Sequence, residues 1–456
     1  MRGHGRESGQ SWIHMMALTL GGRVRDFHRY PPAPPGWHPW CVHVVPLDQA
    51  VRRVLDHCSR VAPGAAAPRI VASGNFASPV TLLAALLPAL SDVRLHALNA
   101  QPGLPLHEGV VPETTFVGPG FRRHPRLSYV PCRLSMAPRL FHGPLAPDVV
   151  VVHTTPPREG HVSLGLEVNV LPAAIEAARA RGALVVAQLN PRMPWTHGDA
   201  VVPVDLVDLG VEVDAPLTTH HAGAPGDDAR LIGSRVAAEI GDGATLQAGI
   251  GEVPDATIAG VLERRGLRVW TEMFSDGVLT LERAGALDTH TPLRTSFVFG
   301  SQELYDWVDD NPRVQMLRTE TTNSPARIAE QPGMTSINTA LQVDLLDQAN
   351  ASRIGARIHS GFGGQTDFTV GASHAPGGRA FMALRSWHPK ADVSTIVPLV
   401  DEPVTSFQHS AVVTEQGVAW MWGRDERTQA RNLIEQAAHP SVREELWEEA
   451  RALGLA

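Results

Sequence analysis

The sequence predicts an α/β protein made of two open, mostly parallel-sheet α/β domains. Two runs of consecutive apolar residues, "DVVVVHTT" (148–155) and "ALVVAQLN" (183–190), are typical of parallel strands that are covered on both faces. Segments with helical spacing and ten or more residues separate such runs, which favours βαβ units. The chain has 456 residues, more than a single hydrophobic core usually serves, so two domains are expected.

The N-terminal half alternates helix-like and strand-like segments after a proline-rich entry at 29–40. Ser78 is the expected N-cap of one helix, and Gly182 is the expected end of another. The segments in chain order are "VPLDQAVRRVLDHC" (helix), "RIVASG" (strand), "SPVTLLAALLPAL" (helix), "VRLHAL" (strand), "DVVVVHTT" (strand), "LPAAIEAARARG" (helix) and "ALVVAQLN" (strand).

The alternation pauses at 209–230, a polar stretch rich in glycine, proline and aspartate, and we place the domain boundary there. The predicted organisation is an N-terminal leader with the proline-rich entry (1–44), one α/β domain (45–215) and a second α/β domain (216–456). The second domain resumes with "LIGSRVAAEIGDG" (helix), "ATLQAGI" (strand), "GEVP" (loop), "DATIAGVLERRG" (helix), "LRVW", "TSFVFG", "SINTALQVDLL" and "RAFMALRS" (strands) and a helical stretch at 427–454.

Charge and composition exclude several classes of function. A net charge of -8 argues against nucleic-acid binding, which normally requires a basic patch or stripe. Lys390 is the only lysine and no Gly-Lys-Ser/Thr sequence occurs, so a phosphate-binding loop of the Walker type is excluded. The three cysteines, Cys41, Cys58 and Cys132, are too few and too scattered for a disulfide framework or a zinc ribbon and fit a reducing compartment.

The N-terminal apolar patch "MMALTL" is short for a secretory signal and lacks a small-x-small cleavage site. No run approaches the ~18 apolar residues of a membrane span. We therefore expect a cytoplasmic protein without membrane association. A transit peptide is the second option, because the early sequence contains few acidic residues.

Glu272 is unusual because it follows the strand-like "LRVW" and lies among Trp270, Met273 and Phe274. An ionised carboxylate is costly among apolar groups that give it no partner. One interpretation is a solvated acid at the end of a strand. The other is a functional carboxylate at the carboxyl end of a parallel strand, where open α/β sheets bind ligands and where it could act as base or nucleophile.

Two glycine-rich loops are the other candidates. "LQAGIGEVPDA" (246–256) places a Gly-x-Gly turn between a strand and a helix, either as a tight structural turn or as a site for a phosphate or an oxyanion. Pro254 stands where the dinucleotide fingerprint needs glycine, so NAD binding is not expected. "HSGFGGQTDF" (359–368) is either a tight corner or a pocket of backbone donors for developing negative charge.

Several motifs together resemble the acetyl-CoA hydrolase/transferase family. They occur in the family's order over roughly residues 65–450. Each motif alone is weak evidence for the family, whereas the ordered set is specific to it. They are "PPREGHVSLGLEVN" (156–169), "QLNPRMPWTHGD" (188–199), "LQAGIGEVPDA" (246–256), "TEMFSDG" (271–277), "SINTALQVDL" (336–345), "SGFGGQTDF" (360–368), "VVTEQG" (412–417) and "AHPSVREEL" (438–446).

The resemblance implies two open α/β domains of the CoA-transferase type and a catalytic role for Glu272. In the implied reaction this carboxylate attacks an acyl-CoA, forms a glutamyl-CoA thioester, and passes CoA to a second carboxylic acid. The resemblance also implies catalytic roles for Asn323 and for Gly364 as an oxyanion donor. It implies CoA contacts for a further set of residues: Gly249, Ile250, Gly251, Glu252, Val253, Ser360 and Gly364.

The implied substrates are an acyl-CoA and a small carboxylic acid, with coenzyme A as substrate and with no metal and no other nucleotide cofactor. A homodimer is the expected assembly. Two segments depart from the family pattern, "STIVP" (394–398) and "AWMWG" (419–423), and this leaves open the acceptor acid and the balance between transfer and hydrolysis. An acyl-CoA hydrolase is therefore the second hypothesis, and a non-catalytic CoA-binding protein is the third.

Overall fold

The computed structural model describes residues 42–61, 67–221, 223–249, 251–404, 406 and 408–456, and these belong to one compact unit. Nearly all of the predicted leader (1–44), together with Cys41 and Ile250, lies outside the described residues. In the part of the chain that the structure describes, no helix is long and apolar enough to cross a membrane.

The N-terminal half contains a seven-stranded sheet in which every neighbouring pair is parallel. Its order is β10-β7-β5-β1-β2-β3-β4. The strands of this half are β1 Arg69–Ala72, β2 Val93–His96, β3 Val110–Thr114, β4 Ser128–Tyr129, β5 Val149–Thr154, β6 His161–Ser163, β7 Leu184–Leu189, β8 His197–Gly198, β9 Val201–Pro203 and β10 Leu209–Glu212.

The C-terminal half contains a six-stranded sheet of order β12-β11-β17-β22-β26-β27, parallel except for the antiparallel edge strand β27. The strands of the C-terminal half, in this sheet and in smaller ones, are β11 Thr245–Ala248, β12 Arg268–Val269, β13 Met273–Phe274, β14 Leu293–Thr295, β15 Phe297–Val298, β16 Val314–Met316, β17 Thr335–Asn338, β18 Gln342–Asp344, β19 Ala349–Asn350, β20 Arg353–Ile354, β21 Arg357–Ile358, β22 Arg379–Ala383, β23 Trp387–His388, β24 Val393–Ser394, β25 Ile396–Val397, β26 Ala411–Val413 and β27 Val418–Trp420.

The helices of the described residues are α1 Leu47–Val61, α2 Val80–Leu86, α3 Ala137–Phe141, α4 Leu171–Arg181, α5 Asp227–Ala238, α6 Glu252–Ala259, α7 Asp276–Arg283, α8 Gln302–Val308, α9 Thr319–Thr322, α10 Pro325–Ala329, α11 Gln365–His374, α12 Glu426–Asn432 and α13 Arg443–Ala452. Helices connect many of the parallel strands, for example α2 between β1 and β2, α4 between β5 and β7, and α11 between β17 and β22, as in βαβ units. The predicted fold class, α/β with mostly parallel sheets, is confirmed.

The two halves share a core and one sheet. A single cluster of buried apolar side chains includes members of both large sheets, among them Val152 and Phe381. Strand β8 of the N-terminal half pairs with β16 of the C-terminal half in a small three-stranded sheet. The boundary placed between residues 215 and 216 stays a prediction.

Two local predictions about helix ends have different outcomes. Gly182 ends α4 in the left-handed conformation, with a φ of 72°, so that prediction is confirmed. Ser78 is not the N-cap of α2, because Pro79 occupies that position. The hydroxyl of Ser78 instead donates to the carbonyl of Asn75, which closes the preceding turn.

Candidate active site

The two large sheets contribute the carboxyl ends of their strands to one cavity of about 310 Å³. Open parallel sheets commonly bind ligands at these ends, where the loops leave a crevice. Many of the lining residues lie at or just after the ends of β1, β2 and β3 in the N-terminal half and of β11, β12 and β17 in the C-terminal half. They include Asn75, Leu98, Asn99, Phe116, Gln247, Gly249, Glu272 and Thr339.

Glu272 lies between two short strands that belong to different sheets. β12 ends at Val269 and pairs with β11, whereas β13 begins at Met273 and pairs with β15. The sequence predicted that Glu272 follows the strand "LRVW", and the structure shows in addition that the chain changes sheets at this point. The carbonyl of Glu272 accepts hydrogen bonds from the backbone N–H groups of Ser296 and Phe297, so this one segment fixes the backbone at Glu272.

Glu272 is partly buried, lines the cavity and lies beside Asn323. The side-chain nitrogen of Asn323 donates a 2.8 Å hydrogen bond to Oε2 of Glu272. Burial raises the pKa of Glu272 to about 7, Asn323 opposes that rise, and the negative charge of Asp367 adds to it. A carboxyl group with such a pKa is half ionised near neutral pH, which is typical of functional carboxylates.

Gly364 lies against this carboxylate so closely that no side chain would fit. A Cβ atom built on Gly364 would overlap Oε2 of Glu272 and Nδ2 of Asn323. Its φ of -96° is ordinary, so glycine is required here for space and not for backbone conformation. Gly364 is also the N-cap of α11, and its backbone N–H has no acceptor among the described residues.

Asp367 is a buried second carboxyl group, one turn into α11. Its oxygens accept hydrogen bonds from the hydroxyl (2.8 Å) and the backbone N–H (3.1 Å) of Ser135. Burial raises the pKa of Asp367 to about 6, against the lowering effects of Ser135 and Arg133. The loop around Ser135 thus connects the N-terminal half to the helix that carries Gly364.

The residues expected to contact CoA divide between two surfaces. Gly249 and Ser360 line the cavity, whereas Gly251 and Glu252 line a neighbouring, smaller depression. Gly251 has a φ of 120°, which only glycine adopts readily. Glu252 is exposed and forms an ion pair with Arg385.

Val253 packs on the edge of the core, and Ile250 lies outside the described residues. The hydroxyl of Ser360 donates to the carbonyl of Ala351 at 2.8 Å, which leaves its oxygen able to accept a bond from a ligand.

Sequence reasoning missed several polar residues at or just behind the cavity wall. They are Asn75, Asn99, Glu167, Asn169 and Asp367. Two of the asparagines come directly after strand-like runs, "RIVASG" and "VRLHAL", and three of the five lie inside or at the end of motifs already quoted for the family. Polar residues after buried parallel strands were the signal that could have found them.

The two segments that depart from the family pattern do not line the cavity. Trp420 instead packs edge-on against Phe381 at 6.3 Å, and the guanidinium of Arg379 lies 5.6 Å from its ring. The part of the chain that the structure describes also contains no cluster of three or more residues suited to hold a metal ion.

The fold is of the CoA-transferase class, as comparison with known proteins shows. The crystal structure of 4-hydroxybutyrate CoA-transferase from Porphyromonas gingivalis superimposes with a TM-score of 0.74 at 31% identity. The match covers 90% of this chain and 98% of that one.

The chain belongs to the acetyl-CoA hydrolase/transferase family. The family's N-terminal domain matches residues 115–218 and its C-terminal domain matches residues 300–450. The 4-hydroxybutyrate coenzyme A transferase of Clostridium kluyveri is 38% identical over 71% of this chain and 77% of its own length. The succinyl-CoA:acetate/propanoyl-CoA:succinate CoA transferase of Fasciola hepatica is 36% identical over 78% of both chains. The chain is an enzyme of the CoA-transferase type.

Proposed function

We propose that this enzyme transfers CoA from an acyl-CoA to a small carboxylic acid through a thioester formed on Glu272. The observation that carries the proposal is the Glu272 site itself. This carboxylate faces a cavity that both sheets line, receives a hydrogen bond from Asn323, and is the only acidic side chain on the cavity wall among the described residues. A nucleophile needs this combination of access and orientation.

In the first half of the reaction, CoA moves from the acyl group to Glu272. A carboxylate oxygen of Glu272 attacks the thioester carbonyl, the C–S bond breaks, and an acyl-glutamyl anhydride and the CoA thiolate result. The thiolate then attacks the glutamyl carbonyl, which releases the acyl group as a free carboxylate. Glu272 now carries CoA as a thioester, and no proton, metal or ATP is consumed.

The second half reverses these steps with another acid. The acceptor carboxylate attacks the glutamyl thioester and expels the thiolate, and the thiolate attacks the acyl side of the new anhydride. The products are a new acyl-CoA and the original carboxylate of Glu272. Splitting one exchange into such steps is the usual advantage of covalent catalysis.

Gly364 and Asn323 have complementary tasks in this scheme. The backbone N–H of Gly364 has no acceptor among the described residues. It is therefore suited to donate a hydrogen bond to the oxyanion that forms at the attacked carbonyl. Asn323 holds Oε2 of Glu272, which leaves Oε1 as the attacking atom. In this proposal Gly249 and Ser360, on the same cavity wall, contact the CoA chain, and Gly251, Glu252 and Val253 support the loop that carries Gly249.

The test is trapping of the covalent intermediate. With acetyl-CoA and no acceptor, intact mass should rise by one CoA, and peptide mapping should place the adduct in "TEMFSDG" (271–277). Glu272→Gln should give no adduct and no transfer, whereas Glu303→Gln, an exposed glutamate in an ion pair with Arg283, should behave as wild type. An adduct on Glu272→Gln, or full transfer by it without deamidation, would rule the mechanism out.

Hydrolysis of acyl-CoA is the second candidate, since the family name covers both activities. The enzyme is a hydrolase if water, and not a second carboxylic acid, attacks the glutamyl thioester. The two are separated by adding carboxylic acids to the pre-formed adduct: in a transferase they accelerate its decay and appear as new acyl-CoA, and in a hydrolase they do not.

A further inference from the structure

A second large depression lies outside the catalytic cavity and is lined by segments from both halves of the chain. Its volume is about 750 Å³, and it lies between the turn 119–125 of the N-terminal half and the segment 354–359 of the C-terminal half. Among the described residues, its ionisable side chains are all basic. They are Arg122, Arg123, His124, Arg357 and His359. We call the surface that carries these five residues the basic depression.

The arginines of the basic depression have no acidic partner. Among the described residues, no carboxyl group lines the depression and none of its three arginines forms an ion pair, although the chain has a net charge of -8. Glu402 does contact this hairpin, but its Oε1 accepts from the backbone N–H of Gly355 at 2.9 Å. A cleft that is lined by charges of one sign attracts ions of the opposite sign.

Two of these basic groups are partly buried, which distinguishes the cluster from a fully solvated surface. Burial lowers the pKa of Arg122, and the charge of Arg123 lowers it further. Burial also lowers the pKa of His359, and the charge of Arg122 adds to that effect. Each group would therefore be more stable as a cation if an anion lay beside it.

The turn that carries the arginines is held in place by the N-terminal half. Phe121 is fully buried, and the backbone N–H of Gly120 donates to the carbonyl of Ala100 at 2.8 Å. The Nε of Arg122 donates to the carbonyl of His359, also at 2.8 Å. This bond orients the guanidinium and leaves its two terminal nitrogens for a ligand.

The donors of the basic depression suit phosphate. Guanidinium groups match the oxygens of a phosphate with paired hydrogen bonds. The Nδ1 of His124 accepts from the backbone N–H of Arg126 at 3.2 Å, so its Nε2 carries the proton and can donate even when the ring is neutral. Ile354 and Ile358 add an apolar surface, and Ile354 is 55% exposed. A volume of this size accommodates a nucleotide.

A wall of hydrogen-bonded chain separates the basic depression from the catalytic cavity. The two share no lining residue. Between them, the backbone N–H of Val117 donates to the carbonyl of Ser360 at 2.7 Å. Ser360 lines the cavity, whereas His359, its neighbour in the chain, lines the depression. The basic depression is therefore a site of its own that adjoins the cavity.

We propose that the basic depression binds the phosphate groups of a nucleotide-sized molecule. The arginines hold the phosphates, and the isoleucines contact the base or the ribose. Two sources have this chemistry: the nucleotide end of the CoA substrate and a separate phosphorylated molecule. The proposal goes beyond the reaction at Glu272 and can be tested without turnover.

The test is calorimetric titration of the full-length protein with ADP and with adenosine 3′,5′-bisphosphate at low ionic strength. At least one of them should bind saturably and more weakly as salt is added, because salt screens exposed charges. Adenosine has the same base without phosphate and should not bind. Failure of both nucleotides to bind at millimolar concentration would overturn the proposal. Binding of a short RNA oligonucleotide, but of neither nucleotide, would overturn it in favour of a nucleic acid.

Variants tie the binding to the basic depression. Arg123→Gln and Arg357→Gln should each weaken binding by about 3- to 10-fold, since solvent partly screens a charge-assisted hydrogen bond at an exposed site. Both arginines are exposed, so the fold should be retained. Arg427→Gln changes an exposed arginine of α12 that does not line the depression and should bind as wild type. Wild-type affinity in the double variant Arg123→Gln/Arg357→Gln would refute the assignment.

The same titration in saturating CoA distinguishes the two sources. If the nucleotide end of CoA occupies the depression, CoA should displace the probe, and the double variant should raise KM for acetyl-CoA but not for acetyl-pantetheine. If a separate molecule occupies it, the probe should bind equally well beside CoA, and KM for acetyl-CoA should not change. Probe binding without any CoA adduct on Glu272 would leave this site in place and contradict only the transfer mechanism.

Discussion

The side-chain amide of Asn323 is oriented from two sides: its nitrogen donates to Oε2 of Glu272 at 2.8 Å, and its oxygen accepts from the hydroxyl of Thr322 at 2.9 Å. The helix that ends at Asn323 begins at Thr319, whose N–H bonds the carbonyl of Asn169. Helix α9 of the C-terminal half therefore connects the backbone of Asn169, in the N-terminal half, to the residue that holds the proposed nucleophile.

Asn323→Ala should reduce adduct formation at pH 7 by about 10- to 100-fold, since one lost donor at a reacting centre costs up to ~10²–10³ in rate. It should also raise the pKa of Glu272 further, because the hydrogen bond from Asn323 is the contact that lowers it. The measurement is the single-turnover rate of adduct formation against pH. Thr322→Val removes only the orienting hydroxyl and should give a smaller loss. A wild-type profile for Asn323→Ala would contradict the role of Asn323.

The wild-type rate of adduct formation should rise with pH and reach half its maximum near pH 7. The reason is that only the ionised form of Glu272 can attack, and burial raises its pKa to about 7. The rate is measured at a concentration of acyl-CoA well below saturation, because the midpoint then reports the free enzyme and not the complex. A rate independent of pH between 5 and 8 would show that the nucleophile titrates elsewhere.

Asp367→Asn should move that midpoint to lower pH, because the negative charge of Asp367 raises the pKa of Glu272. Asparagine keeps the shape of the side chain and can still bond to the hydroxyl of Ser135. The expected rate is therefore higher than wild type at pH 6 and similar at pH 8. Glu303→Gln removes a distant, exposed charge and should leave the midpoint in place. A shift to higher pH in Asp367→Asn would contradict the assigned coupling.

The sequence predicted the α/β class because apolar parallel strands and amphipathic helices have different periods that can be read locally. Glu272 could be found for a similar reason, since a carboxylate among Trp270, Met273 and Phe274 is locally anomalous. Gly364 and Asn323 were assigned only through the family resemblance. No local pattern indicates that a glycine and an asparagine 41 residues apart meet at one carboxylate.

The group of Asn75, Asn99 and Glu167, which hydrogen bonds join, was missed for a physical reason. Asn75 and Asn99 follow the neighbouring parallel strands β1 and β2, whereas Glu167 comes from the segment after β6, where it forms a β-bridge with Phe297. An asparagine after a strand is usually a turn residue, and the left-handed backbone of Asn75 and Asn99 cannot be distinguished from an ordinary turn by sequence alone. Ser78 failed as a predicted helix cap because Pro79 moved the start of α2 by one residue.

Gly364→Ala should reduce adduct formation by about 100-fold, because a displacement of ~1 Å at a reacting group costs on that order. The added methyl group would overlap Oε2 of Glu272 and Nδ2 of Asn323, so one of the two must move. Gly241→Ala is the matched control, since its Cβ would meet nothing within 4 Å and its φ is not positive. Activity in Gly364→Ala equal to that of Gly241→Ala would show that the contact with Glu272 is not needed for the reaction.

Glu272→Gln should stabilise the folded protein at alkaline pH while it abolishes transfer. Burial raises the pKa of Glu272 from 4.5 to about 7, so the unfolded chain ionises this residue at a lower pH than the folded chain does. Below pH 4.5 both states are protonated and the variant gains nothing. Between 4.5 and 7 the wild type loses stability that glutamine does not lose, and above pH 7 the gain is constant, on the order of 1–3 kcal/mol.

The measurement is the denaturation midpoint of Glu272→Gln and wild type at pH 4.5, 6 and 8, with Glu303→Gln as the exposed control. Glu303 forms a surface ion pair that lowers its pKa, so its variant should show no gain that grows with pH. The difference between Glu272→Gln and wild type should be near zero at pH 4.5 and largest at pH 8. A difference of the same size at all three pH values would mean that glutamine improves packing and that Glu272 is not held at a raised pKa in the folded protein.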